Sequence, residues 1–201
     1  SLSVAFAASF KAWLREYLLK VIPPEGQEVK EEWIQYYDTL PQRYTDPKTQ
    51  QTINPIMQAG VGVDLAISKQ QTADYTAMVG GITAVLEGTP KIYILPNPIN
   101  ERFSFHETIQ QFKSTSAAMA STLVHPLFFI EDVAYQRVAI EEAVRNGIPA
   151  VPMKVGTDKR ARLRASAVFI QNGTVLFPRK GAEDLIAQIT GFGIEDHDDL
   201  M

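Results

Sequence analysis

Asp64 stands at the centre of residues 61–67, VGVDLAI, with an apolar residue on each side. A carboxylate inside an apolar strand is costly unless a metal ion or hydrogen bonds compensate it. Glu131 and Asp132 follow the apolar stretch FFI, and Asp196, Asp198 and Asp199 crowd the C-terminal EDHDDLM. Acids converging from these three stretches could hold two Mg²⁺ or Mn²⁺ ions, hard cations that want oxygen ligands. Two such ions activate a water and stabilise the leaving 3′ oxygen of a phosphodiester. Phosphodiester hydrolysis is the chemistry this set of residues fits.

Each acid also has a plainer role open to it. Asp64 could end a strand or cap a turn. Glu131 and Asp132 are adjacent, so in a strand they point to opposite faces and at most one is a natural partner for Asp64. The other could cap the following helix, and alternation does not choose, because the strand is apolar on both faces. Asp198 and Asp199 could simply favour the dipole of a helix N-terminus. His197 could position a water or support a ligand from behind, or be solvated. His106 and His125 carry no spacing signal and read as structural.

The elements that must position these residues are legible as a pattern. Residues 61–67 form a first strand, and residues 75–86 and 91–95 a second and third, joined by a turn at Glu87-Gly88-Thr89-Pro90. Residues 104–119 have helical spacing, with Ser104 and Glu107 in the capping-box arrangement. Residues 127–130 are a short buried strand, residues 134–145 an amphipathic helix closed by Asn146-Gly147, and residues 150–153 a fifth strand. A basic helix over 157–167, a hairpin over 171–177 turning at Asn172-Gly173, and a helix over 182–189 follow. The order β-β-β-α-β-α-β predicts an α/β fold: a ribonuclease H-like mixed five-stranded sheet flanked by helices, with an added hairpin. In it the first and fourth strands are neighbours, about 4.8 Å apart.

Residues 1–58 read differently. Residues 10–20 carry helical apolar spacing, Pro23-Pro24 ends it, and a Pro-, Gln- and Thr-rich run follows. They are expected to be a connecting segment, with residues 59–201 the domain proper. Ser1 begins without an initiator Met, and the chain stops just past the acid pair, so a fragment with a truncated last helix is expected.

At 201 residues the chain can build one sizeable core plus an appended segment. The absence of cysteine excludes disulfides, thiolate metal sites and a cysteine nucleophile, and suits a reducing compartment. No apolar run approaches the roughly 18 residues needed to span a bilayer, and no signal-peptide pattern opens the chain. The net charge of −4 argues weakly against nucleic-acid binding, but the charge is segregated. Residues 154–180 hold seven basic residues against one acid, whereas residues 183–201 hold six acids and no Lys or Arg. Lys159, Arg160, Arg162 and Arg164 could contact phosphates, with Arg160 and Arg164 sharing one helix face at i, i+4; two ordinary solvated faces are the alternative.

Four segments in series, GVDLAISKQQTADYTA, FFIEDVAYQ, TDKRARLRASAVFIQNGTVLFP and EDHDDLM, together resemble the C-terminal nuclease domain of tailed-phage terminase large subunits. FKAWLREYLLKVIPPE and EEWIQYYDTLP resemble the segment that joins that family's ATPase motor to its nuclease. The resemblance implies a two-metal endonuclease, using Mg²⁺ or Mn²⁺, that cuts concatemeric double-stranded DNA during packaging into a procapsid. By motif, Asp64 matches the first-strand metal ligand, Glu131 the fourth-strand acid with Asp132 in reserve, and Asp198 and Asp199 the paired acids of the C-terminal helix. Asp64, Glu131 and Asp198 are then the catalytic set. The implied partners are the terminase ATPase domain, the small terminase subunit and the portal protein, in the host cytoplasm and without a membrane. No GxxxxGK[ST] loop occurs, so this chain is not by itself the ATP-driven motor.

Three rival readings stand beside it. A resolvase- or transposase-type ribonuclease H-like nuclease would share the fold. An actin-like or sugar-kinase ATPase half also carries a first-strand Asp, but needs a Gly-rich turn where Leu65-Ala66-Ile67-Ser68 stands. A non-catalytic docking module for a portal or motor partner would tolerate loss of Asp64.

Overall fold

A computed structural model of the protein describes residues 28–65, 74–122, 124–132, 136–154 and 159–192. A single 3-10 turn at Glu31–Trp33 leads into three short strands, β1 (Tyr36–Tyr37), β2 (Tyr44–Thr45) and β3 (Thr52–Ile53). The long strands β4 (Ile56–Leu65) and β5 (Asp74–Leu86) follow, then β6 (Thr89–Ile94) and β7 (Ile99–Phe103). Next come α1 (Phe105–Thr122), β8 (Pro126–Glu131), α2 (Gln136–Arg145) and β9 (Ala150–Met153). Helix α3 (Lys159–Gln171), β10 (Val175–Pro178) and α4 (Glu183–Gly191) end the described chain.

Eight strands form one mixed sheet in the order β1-β10-β6-β5-β4-β8-β9, with β7 pairing β5 off that path. β4, β5 and β6 are an antiparallel meander, and β8 and β9 run parallel to β4. These five strands therefore take the order third, second, first, fourth, fifth, the ribonuclease H-like arrangement that the sequence predicts. Three further strands enlarge it. β10 joins β6 in parallel, β1 joins β10 in parallel, and β7 lies against the first residues of β5.

Local signals explain most of the joints. Glu87 and Gly88 both have positive φ, 51° and 78°, as a two-residue hairpin turn demands. At the start of α1, the Ser104 N–H donates to the Glu107 carboxylate at 2.7 Å and the Glu107 N–H donates to Ser104 Oγ at 3.3 Å. That is the reciprocal capping box expected there. The hairpin expected over 171–177 does not form. Gln171 closes α3, and Gly173, at φ 72°, donates its N–H to the Ile170 carbonyl just past the helix end. A left-handed glycine serves a helix stop as well as a hairpin turn, and here it is the stop. The strand that follows runs parallel to β6 instead of folding back. Among the described residues a hairpin does occur earlier, between β2 and β3.

Two separate cores pack against opposite faces of the sheet, the second at its β6–β10 end. Val61, Val63 and Leu65 of β4 and Met78 and Ile82 of β5 pack with Phe112 of α1, Ala139 and Ala143 of α2, and Phe128 and Ile130 of β8. The Phe112 and Phe128 rings lie 5.2 Å apart. The second core joins β10 and β6 to Ala167 and Ile170 of α3 and to Leu185 and Ile189 of α4. Val29 and Ile34, from the stretch expected to be a connecting segment, are buried in this second core, and β1 of the same stretch is an edge strand of the sheet.

Candidate metal centre

The ladder of β4 decides where Asp64 points. Val61, Val63 and Leu65 are buried in the first core, so the intervening Gly62 and Asp64 face the other side of the sheet, where both are exposed. This corrects the expectation of a buried acid: the apolar neighbours of Asp64 belong to the opposite face. The same face needs glycine at position 60, because a Cβ there would lie 2.9 Å from the Phe129 ring.

Register then brings a second acid alongside. In the parallel pair of β4 and β8, Val63 stands opposite Ile130. One residue further, Asp64 and Glu131 stand side by side, at a strand spacing of about 4.8 Å. Val63 and Ile130 both point into the first core, so Asp64 and Glu131 share the opposite face. Asp132 lies one residue past the end of β8. It accepts a hydrogen bond from Arg137 Nε at 2.9 Å, and its N–H donates to the Met153 carbonyl at 2.7 Å. Between the two candidates that sequence left open, Glu131 is the one on the Asp64 face.

The basic residues of α3 are placed less simply. Arg162 Nη1 lies 3.8 Å from the Glu131 carboxylate. Arg160 and Arg164 share a helix face as expected, but that face carries Glu28. Their Nε groups donate to the two oxygens of Glu28 at 2.6 and 2.5 Å. The Glu28 side chain is only 4% exposed. Burial pushes the Glu28 carboxyl up, yet the hydrogen bonds and charges of Arg164 and Arg160 outweigh it and hold the group below its ordinary value. Arg160 and Arg164, expected to face DNA, thus spend hydrogen bonds on a buried structural carboxylate. The Lys159 side chain, His197, Asp196, Asp198 and Asp199 lie outside the described residues.

Sequence reasoning missed two residues that shape this region. Glu28 carried no signal, because its partners are more than 130 positions away. Gln136, 3% exposed at the start of α2, donates its amide N–H to the Leu65 carbonyl at 2.8 Å and so ties down the strand end beside Asp64. Among the described residues, no three acids or histidines come together at metal-binding distance. The donors gathered here are two carboxylates, an oxygen-only pair that suits Mg²⁺ or Mn²⁺. A cleft of about 750 Å³, lined in part by Leu40, Ile56, Leu95 and Met119, contains neither acid.

Against known proteins, no family model and no curated protein matches the chain. Solved structures do. The chain is similar to the large terminase nuclease from thermophilic phage G20c with bound magnesium. Identity is 16% and the TM-score 0.47, over 85% of this chain and 82% of that one. The same nuclease with bound zinc gives 16% identity and a TM-score of 0.44, over 86% and 88% of the two chains. The large terminase from a second thermophilic bacteriophage gives 11% and 0.43, over 79% of this chain and 35% of that one. No described helix is long and apolar enough to cross a membrane.

Proposed function

We propose that the protein is a metal-dependent endonuclease that hydrolyses double-stranded DNA, the nuclease part of a viral DNA-packaging terminase. The observation that carries this reading is the placement of Asp64 and Glu131 side by side on neighbouring parallel strands. Both lie on the sheet face opposite the first core, at the C-terminal ends of their strands. Two carboxylates this close repel one another, and a cation between them relieves that repulsion. The series of four sequence segments that resemble terminase nucleases supports the same assignment.

In this reading Asp64 and Glu131 would hold the ions, Asp198 or Asp199 would complete the ligand set, and Asp132 stays with Arg137. Bound divalent ions supply an activated nucleophile and charge stabilisation for the leaving 3′ oxygen. Gln136 fixes the backbone beside Asp64, so that the carboxylate is aimed before any ion arrives. Arg162 balances the charge of Glu131 and would contact the backbone phosphates. The residues ahead of Glu28 would connect the nuclease to a packaging ATPase, with the small subunit and portal as further partners in the host cytoplasm.

Plasmid cleavage tests the proposal. Supercoiled DNA with Mn²⁺ or Mg²⁺ is expected to be nicked and linearised, with no cutting in EDTA or by Asp64→Ala. A folded, metal-supplied chain that leaves the plasmid intact would refute it in favour of a docking module.

A further inference from the structure

The described part of β7 does something the five-stranded plan does not require. It pairs with residues 74–78 of β5 on the edge away from β4, at the end of the sheet where Asp64 lies. In this ladder Tyr75 stands directly opposite Arg102, so their side chains share one face. The face is that of Asp64: Asp64 pairs with Ala77, and Tyr75 is two residues further along the same strand. The Arg102 guanidinium carbon lies 4.7 Å from the centre of the Tyr75 ring. The two side chains remain open to solvent, with Tyr75 50% exposed. On the other face at the same place, Thr76 and Met78 are buried.

We infer that Tyr75 and Arg102 form a stacking platform for an unpaired nucleotide of a nucleic-acid strand next to the carboxylate pair; the inference rests on the nuclease reading of that pair. The ring lies two residues along the strand, roughly 7 Å, from the row that holds Asp64, about the rise of one to two nucleotides. An exposed aromatic ring beside a guanidinium offers a π-face for a base and a cation for its phosphate. Asn100, opposite Ala77 and exposed, adds an amide on the row of Asp64. Bases inside an intact duplex are stacked on each other and do not reach such a ring. The platform therefore selects DNA whose strand is frayed, gapped or already nicked beside the scissile phosphate, and it favours the second cut over the first.

The test is fluorescence anisotropy with the full chain and two labelled DNAs, an intact duplex and the same duplex with a short gap, in EDTA so that nothing is cut. The wild type is expected to bind the gapped DNA more tightly. Tyr75→Ala and Arg102→Ala should each weaken gapped binding about tenfold, with intact-duplex binding changed less than about twofold and Tyr75→Phe close to wild type. A 2-aminopurine placed in the gap should be quenched by the wild type and not by Tyr75→Ala, a signal that altered stability does not mimic. Absence of a gap preference, gapped binding unchanged in both variants, or equal loss on both DNAs overturns the platform. Plasmid cleavage with Mn²⁺ separates the two readings. A wild type that cuts while the variants bind gaps normally refutes the platform alone. Platform-dependent gap binding without metal-dependent cutting refutes the nuclease alone.

Discussion

Glu28 and the pair of Asp64 and Glu131 are acids of the same fold in opposite circumstances. Glu28 is buried, and each of its oxygens takes an arginine hydrogen bond. Asp64 is exposed on an open strand face, and Glu131, 29% exposed, has Arg162 at the longer distance of 3.8 Å. A carboxylate that holds a structure together is satisfied by the protein itself, whereas one that serves a ligand must stay reachable. Desolvation explains the split: removing one partner from a buried pair strands an uncompensated charge, which an exposed carboxylate avoids by keeping its water. The two kinds of acid should therefore respond in opposite ways to the same treatments.

Activity should divide them most. Asp64→Ala is expected to lower metal-dependent plasmid cleavage by more than about 100-fold, since even residues that only support metal ligands cost roughly 10- to 100-fold. Its melting temperature should stay level or rise, because one of two neighbouring like charges is gone. A large drop in melting temperature would place Asp64 with Glu28, as a structural acid.

Stability should divide them next. Glu28→Gln leaves Arg160 and Arg164 without their carboxylate, and breaking a buried pair costs roughly 3 kcal/mol. Chemical denaturation should show that loss, while cleavage below the melting point remains near wild type. The pH dependence follows from the same pair. The folded-state pKa of Glu28 lies below its ordinary value of 4.5, so its stabilisation is complete well above that pH. It is lost as pH falls from there through the folded value. The stability gap between wild type and Glu28→Gln should thus be widest near neutrality and close in acid. A gap independent of pH between 3 and 7 would mean that packing, not charge, is what the substitution removes.

How much of this was legible in the sequence follows from the range of the interactions. The five central strands and α1 follow from alternation, turn residues and a capping box, all of which act within about four residues. Asp64 and Glu131 were identifiable as acids at strand positions, but their common face depends on the register of β4 against β8, which no local pattern contains. Glu28 was invisible because it meets α3 across more than 130 positions, and the charge run 159–164 looked like one basic surface for the same reason. The hairpin expected at Asn172-Gly173 does not form for a different reason. A left-handed glycine after asparagine satisfies both a hairpin turn and a helix stop, and only the packing of α3 and β10 into the second core chooses.

Arg162 lies between the two regimes and should give the smallest effect. On α3 it sits between Arg160 and Arg164, which are committed to Glu28, yet its own contact is with Glu131. Partly exposed ion pairs of this kind are worth about 0.2–1 kcal/mol. If that energy must be given up before Glu131 can ligate, Arg162→Ala should bind Mn²⁺ about two- to fivefold more tightly by calorimetry. If Arg162 also contacts phosphate, as proposed, its loss should at the same time raise the KM for DNA, so the two effects oppose each other in cleavage at low metal and separate at saturating metal. Unchanged metal affinity in Arg162→Ala would show that Glu131 reaches an ion without releasing its arginine. The guanidinium would then be a fixed neighbour of the site, held on α3 by the same buried clamp that fixes Arg160 and Arg164.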